Sequence, residues 1–309
     1  DADGLGDSDA IREVAWSLLE RPEAREQVGR FYTELLRIGD LRDKGKDTDL
    51  FPLWDDATAA SMHAETLRMV DHVVFGGGGD IRTLFDADFT FADDNIAALY
   101  GIEAPEAPWS QVALPDDSDR AGILTMPAFL SATSFTTRNS PTRRGLFVQD
   151  RLLCFEIPPP PPDVDANLPD PAVGVTLRER LEQHMTDDAC AACHALTDPI
   201  GFAFEGFDAI GVARALDNGQ PIDTTGEISG VGSFAGAAEL GALLRNDPRV
   251  PGCMLDNLFV YALGYSDTGA YADGLLPLHD AFVDYEHDLQ SIVVELTVSP
   301  LFARVGPPK

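Results

Sequence analysis

Five residues constrain this chain more than any others: Cys190-Ala191-Ala192-Cys193-His194. Two thiols three positions apart, followed at once by a histidine, have the C-x-x-C-H spacing of covalent haem attachment. The spacing has a physical basis. Thiols about one helical turn apart can add to the two vinyl groups of one porphyrin, and the adjacent imidazole falls under the iron as proximal ligand. Ala191 and Ala192 are short enough to let the backbone lie against the macrocycle. Structural zinc would need a second Cys or His pair, and the other two cysteines are single and distant. A thioredoxin-like dithiol would want a βαβ context, whereas these flanks read as helix and loop. The motif therefore predicts one covalently attached haem c held by Cys190, Cys193 and His194.

The other two cysteines, Cys154 and Cys253, are the only remaining pair. Covalent haem attachment takes place outside the cytosol, where disulfides also persist. A Cys154–Cys253 disulfide is expected, closing a loop of about 100 residues. Both features predict a periplasmic or extracellular protein.

Electron-transfer haems take a second axial ligand, often methionine. Met62 and Met69 fit a helical core face, and Met185 lies just before the motif. Met126 and, as alternative, Met254 remain. Met126 stands in Met126-Pro127-Ala128-Phe129, which resembles the Met-Pro-Ala-Phe ligand loop of small class I c-type cytochromes, although there the methionine follows the haem motif. Histidine is the rival ligand, from His63, His72, His184, His279 or His287. Phe202 and Phe204, just after the motif with Phe207, are expected walls of a dry pocket.

The periodicity predicts a mainly α chain. Ser8 is the expected cap of a helix carrying Ile11, Val14, Ala15, Leu18 and Leu19, and Pro22 starts a second running to Gly39. A long helix covers Ala57 to Phe75, ended by Gly76–Gly79. Asp80 caps a short helix, and Asp93 begins another closed by Gly101. Residues 103–120 read as linker. Ser140-Pro141 opens a helix that runs towards Pro158–Pro162, a polyproline II stretch, and Thr176 with Glu179 has capping-box spacing. Asn218-Gly219 marks a hairpin. Ser233, Cys253 and Leu289 open the last three predicted helices, the second ending at Gly264 and the third at Val298. The expected architecture is a cytochrome-c-like haem core embedded between helical flanking modules, with one small β-hairpin. The divisions are 1–115, an N-terminal helical module; 116–232, the haem domain; and 233–309, a C-terminal helical module packing on it.

Of 309 residues, 22 are Lys or Arg and 52 are Asp or Glu, a net charge of −30. That sign excludes nucleic acid and anionic membranes as electrostatic partners and favours cationic docking patches on a redox partner. It also fits a salt-adapted surface. No run of apolar residues is long enough to span a membrane. The start, Asp1-Ala2-Asp3-Gly4, is acidic where an export leader is basic, so the chain is expected to be a mature or clipped form.

Several motifs together resemble one family. They are Ser140-Pro141-Thr142-Arg143-Arg144-Gly145, Pro158–Pro162, the C-x-x-C-H motif, Asp198-Pro199-Ile200-Gly201-Phe202 and Phe207-Asp208. Asp223-Thr224-Thr225-Gly226-Glu227, Tyr261–Gly264 and Ser299–Phe302 extend the likeness to the C-terminal part, and Arg30-Phe31-Tyr32 with Phe51-Pro52 to the N-terminal part. The family is that of bacterial exported multidomain cytochrome-c-like proteins of uncharacterised function. The resemblance implies an exported haem protein and a chain that continues upstream.

Three functions are weighed. The first is single-electron transfer, within a redox complex or a self-assembled homo-oligomer or filament. The second is a haem peroxidase or oxygenase, which needs an open iron face and a distal group such as His63 or His72 with Arg138 or Arg143. The third is a structural or binding module whose haem takes no part in chemistry.

Overall fold

Proline and acidic caps set the N-terminal helices. The structure, a computed structural model, describes residues 7–76, 78–158, 172, 174–186, 188–264 and 269–302. In α1 (Ser8–Leu19) the cap is Asp7, not Ser8: Asp7 is extended and accepts from the Asp9 amide, while Ser8 is already helical. Pro22 stands at the first position of α2 (Pro22–Leu35), where its missing N–H costs nothing. Asp55 caps α3 (Asp56–Phe75), which buries Met62, Met69, Val70, Val73 and Val74. α4 (Thr83–Asp86) leads through β1 (Phe89–Ala92) to α5 (Asp94–Tyr100), capped by Asp93 and closed by a left-handed Gly101. Residues 103–120 are not all loop. β2 (Ser110–Ala113) pairs antiparallel with β1, Phe89 opposite Ala113.

The central segment carries α6 (Pro127–Ala132) and α7 (Pro141–Phe147), each started by proline, the second capped by Ser140. A π turn, Val148–Leu152, prolongs α7. Thr176 and Glu179 form the expected capping box of α8 (Leu177–His184), and α9 (Asp188–Gly201) follows. The Asn218-Gly219 turn joins β3 (Leu216–Asp217) to β4 (Gln220–Pro221), both turn residues having positive φ. A further hairpin pairs β5 (Thr225–Ile228) with β6 (Gly232–Ala235). Ser233 therefore lies in a strand rather than at a helix start. α10 (Ala237–Asn246) begins after Gly236, and the distant Asp119 carboxylate accepts from the Ala237 and Ala238 amides in place of a local cap. α11 (Arg249–Leu263) ends at a left-handed Gly264, and α12 (Ala272–Asp284) and α13 (Leu289–Val298) complete the described chain.

The fold is mainly α with three two-stranded antiparallel sheets among the described residues, two of them hairpins, where the sequence predicted one hairpin. One continuous core takes Phe31 and Met69, Phe129 and Phe204, and Leu240, Phe259 and Ile292, so all three parts of the sequence contribute to it. A small satellite cluster holds Leu177, Leu181 and Phe202. The Cys154–Cys253 disulfide is formed, Cα atoms 5.4 Å apart, tying the end of the α7 segment to α11. No described helix is long and apolar enough to cross a membrane. The expected polyproline stretch lies, from Pro159 on, outside the described residues.

Candidate functional site

The alanine-rich run around the two thiols has high helix propensity, and it folds as α9 with Cys190, Cys193 and His194 in its first half. At spacings of three and four these side chains share one side of the helix. Two glycines set where that helix lies. A methyl group built on Gly145 of α7 would overlap the Thr197 carbonyl oxygen, and one on Gly201 would overlap the carbonyl oxygen of Pro141. α7 and α9 thus meet backbone to backbone, which only residues without a side chain permit.

Buried ionic groups lock the same region. Arg144 is fully buried and donates from Nη1 to the Phe204 carbonyl at 2.7 Å, and from Nη2 to the Asp208 carbonyl and the Ser134 hydroxyl. Burial pulls its guanidinium down to about 10. Glu205, also buried, pairs with Arg214 at 2.9 Å; burial pushes its carboxyl up to about 7 against the pull of Arg214 and Arg144.

His194 is half-buried. Its Nδ1 lies 2.8 Å from Oδ2 of Asp198, one turn further along α9 and completely buried. The Thr197 hydroxyl donates to the other Asp198 oxygen. The hydrogen bond to Asp198 raises the imidazole pKa. With Nδ1–H given to the carboxylate, the neutral ring presents Nε2 as its free lone pair. A carboxylate behind the distal nitrogen is how proteins fix a metal-binding histidine. The donor set fits haem c: two thiols three apart, then an imidazole whose tautomer is held with Nε2 available. Cys190 is buried and Cys193 half-buried.

The other predicted residues are distributed. Phe202 is buried in the satellite cluster beside α8, with the Arg178 guanidinium 4.3 Å from its ring centre. Phe204 lies in the main core against Phe129. Met126 is the residue before α6 and Met254 lies on α11 beside the disulfide; both are buried in the main core. His184, at the end of α8, is the candidate histidine that meets the motif, its ring centre 5.1 Å from that of His194 in an edge-to-face arrangement. In that direct contact no macrocycle fits between the two rings. His63 bonds to Thr33, His72 packs on Phe89 and Phe91, His279 bonds to Asp256, and His287 packs on Phe282. Arg138 and Arg143 both lie on the Phe135 ring. Asp198 was not singled out as a site residue, although a His-x-x-x-Asp spacing on a helix is the signal that would have found it.

A helical chain with a single C-x-x-C-H helix braced by a histidine–carboxylate pair is the class that fold and site define. Residues 120–217, from the approach to α6 through α9 to β3, match the PSCyt3 family, described as a protein of unknown function (DUF1588). Residues 1–102 match the PSD4 family, likewise a protein of unknown function (DUF1592). Neither a curated protein nor a solved structure matches the chain.

Proposed function

We propose that the chain is a mono-haem c-type cytochrome that passes single electrons outside the cytosol. The observation that carries this reading is the placing of Cys190, Cys193 and His194 on one side of α9 with Asp198 holding Nδ1 of the imidazole. Cys190 and Cys193 would hold the haem through thioethers, and His194 would ligate through Nε2. When bound, the group supplies reversible one-electron exchange. Asp198 keeps the imidazole from rotating and strengthens its donor nitrogen. Leu177, Leu181 and Phe202 form a buried, water-excluding cluster between α8 and the residue that follows α9. Met126 is the proposed second axial ligand, with Met254 as the alternative. The Cys154–Cys253 disulfide supports a periplasmic or extracellular location. The two family matches, both to proteins of unknown function, are in keeping with an uncharacterised family. The test is expression with a haem-attachment system followed by intact mass and visible spectroscopy. A chain heavier by one haem with a low-spin spectrum supports the reading, and a haem-free chain overturns it.

A further inference from the structure

A buried cation and a buried acid meet where the N-terminal helices join the central segment. Arg120 is buried between two rings, its guanidinium carbon 4.1 Å from the centre of Tyr100 and 4.6 Å from that of Phe207. Its two arms bond backbone carbonyls: Nη1 donates to Thr125 at 2.9 Å and Nη2 to Gly211. Thr125 is the residue before Met126, and its hydroxyl bonds back to the Ala121 carbonyl. Gly211 lies against the residue after it: a methyl group built on Gly211 would stand 2.9 Å from the Cα of Pro127. Arg120 thus holds Met126 from both flanks. Glu65 of α3 stands behind Tyr100. Its Oε1 accepts from the Tyr100 and Thr90 hydroxyls, while Oε2, buried, has no partner among the described residues. Protonated, this carboxyl leaves Arg120 to its carbonyls. Ionised, it sets a bare charge in a dry core and attracts Arg120. Asp93 also acts on Glu65, by repulsion. Asp119 and Asp208 act on Arg120, but the first is engaged by the Ala237 and Ala238 amides and the second by those of Ile210 and Val212. Burial pushes the Glu65 carboxyl up to about 7, so its charge appears across neutral pH.

We propose that Glu65, acting through Tyr100 and Arg120, places Met126 and so puts the second axial ligand under the control of one proton. The ligand part rests on the function proposed above. With Glu65 neutral, Arg120 gives both arms to the Thr125 and Gly211 carbonyls, and the backbone on either side of Met126 is held. With Glu65 ionised, Arg120 is drawn towards the carboxylate and both bonds slacken. The reduction potential falls with the same step. A negative charge has been added and a methionine sulfur loosened, and each favours the oxidised state. Glu65 and Arg120 are positioning residues, acting through Met126.

The experiment follows the methionine methyl groups of the full-length chain by carbon-13 NMR as pH is raised through neutrality, the Met126 signal being assigned with Met126→Leu. This readout needs no haem. In the wild type the Met126 signal shifts with a midpoint near 7. In Glu65→Gln, which holds the neutral shape, it stays still. In Arg120→Lys, which keeps the charge but gives up the two-armed grip, the shift shrinks. A signal that does not move near neutral pH, or that moves equally in Glu65→Gln, overturns the proposal, as does a shift of full size in Arg120→Lys. Should Arg120→Lys fail to fold, Tyr100→Phe decides. It keeps the ring and removes the hydroxyl that favours the carboxylate, so the midpoint must rise by about one to two pH units, the worth of one charge-assisted hydrogen bond; an unmoved midpoint overturns the proposal. In the haem-loaded chain the potential, read by spectroelectrochemistry, falls through the same midpoint, with a step that Glu65→Gln lacks. A potential without that step overturns the control of the ligand. A chain that never acquires haem refutes the function proposed above, and the methyl signal still decides whether Glu65 places Met126.

Discussion

Gly145→Ala tests whether α9 is seated as described. The added Cβ would lie 2.6 Å from the Thr197 carbonyl carbon and closer still to its oxygen, against the 3.4 Å at which ordinary contact begins. The carbon alone asks the helices to part by about 0.8 Å and the nearer oxygen by more, and both clashing groups are backbone, which cannot swing aside. Overpacking of this kind costs roughly 1–3 kcal/mol, here at the upper end. Alanine's better helix propensity returns up to about 1 kcal/mol. The net expectation is a loss of about 2 kcal/mol. Gly29→Ala in α2 is the matched control, since its Cβ meets only Leu67 methyls at 3.7 Å; it should gain about 0.5–1 kcal/mol. Urea unfolding measures both, and the variants' midpoints should separate by on the order of 1 M. If Gly145→Ala proves as stable as Gly29→Ala, the backbone contact between α7 and α9, and with it the seating of the motif, is wrong.

Removing the disulfide by Cys154→Ser with Cys253→Ser frees a loop of about 100 residues and should cost about 4–5 kcal/mol in the chain-entropy model; dithiothreitol should cost the wild type a similar amount and the variant nothing. Glu65 is wholly buried, accepts from Thr90 and Tyr100, and is pushed up to about 7 by burial. The folded state therefore holds a proton that the unfolded state releases near 4.5, so wild-type stability should fall as pH rises from about 4.5 to 7. Relative to Glu65→Gln the change is on the order of 3 kcal/mol, and parallel stability curves for the two proteins would remove this assignment. Met126→Ala should abolish the low-spin spectrum if its sulfur is the second axial ligand; an unchanged spectrum passes that role to Met254.

Local chemistry was legible wherever a few adjacent residues decide the structure. Asp93 and Gly101 bracket α5, Thr176 and Glu179 close their capping box, and Gly264 ends α11, each as its own side chain dictates. What escaped depends on partners distant in sequence. β2 is four residues long and stands only because β1 pairs with it. Ser233 looked like a cap, but Phe234 pairs with Gly226, and Asp119 caps α10 from 118 residues away. α12 was hidden by Gly274 and Pro277, which interrupt its apolar pattern. In the site, the motif residues and the disulfide pair could be named from the sequence. Asp198 behind His194 required knowing that the motif is helical, and the meeting of His184 with His194 required knowing which helix faces which.

The central claim is a covalent haem on α9, and one measurement tests it most directly: the intact mass of the chain purified from cells that attach haem, read alongside a Cys190→Ala/Cys193→Ala variant. The wild type should carry the mass of a single haem that survives denaturation, with low-spin absorption, and the variant none. A wild-type mass equal to that of the bare polypeptide would contradict the account.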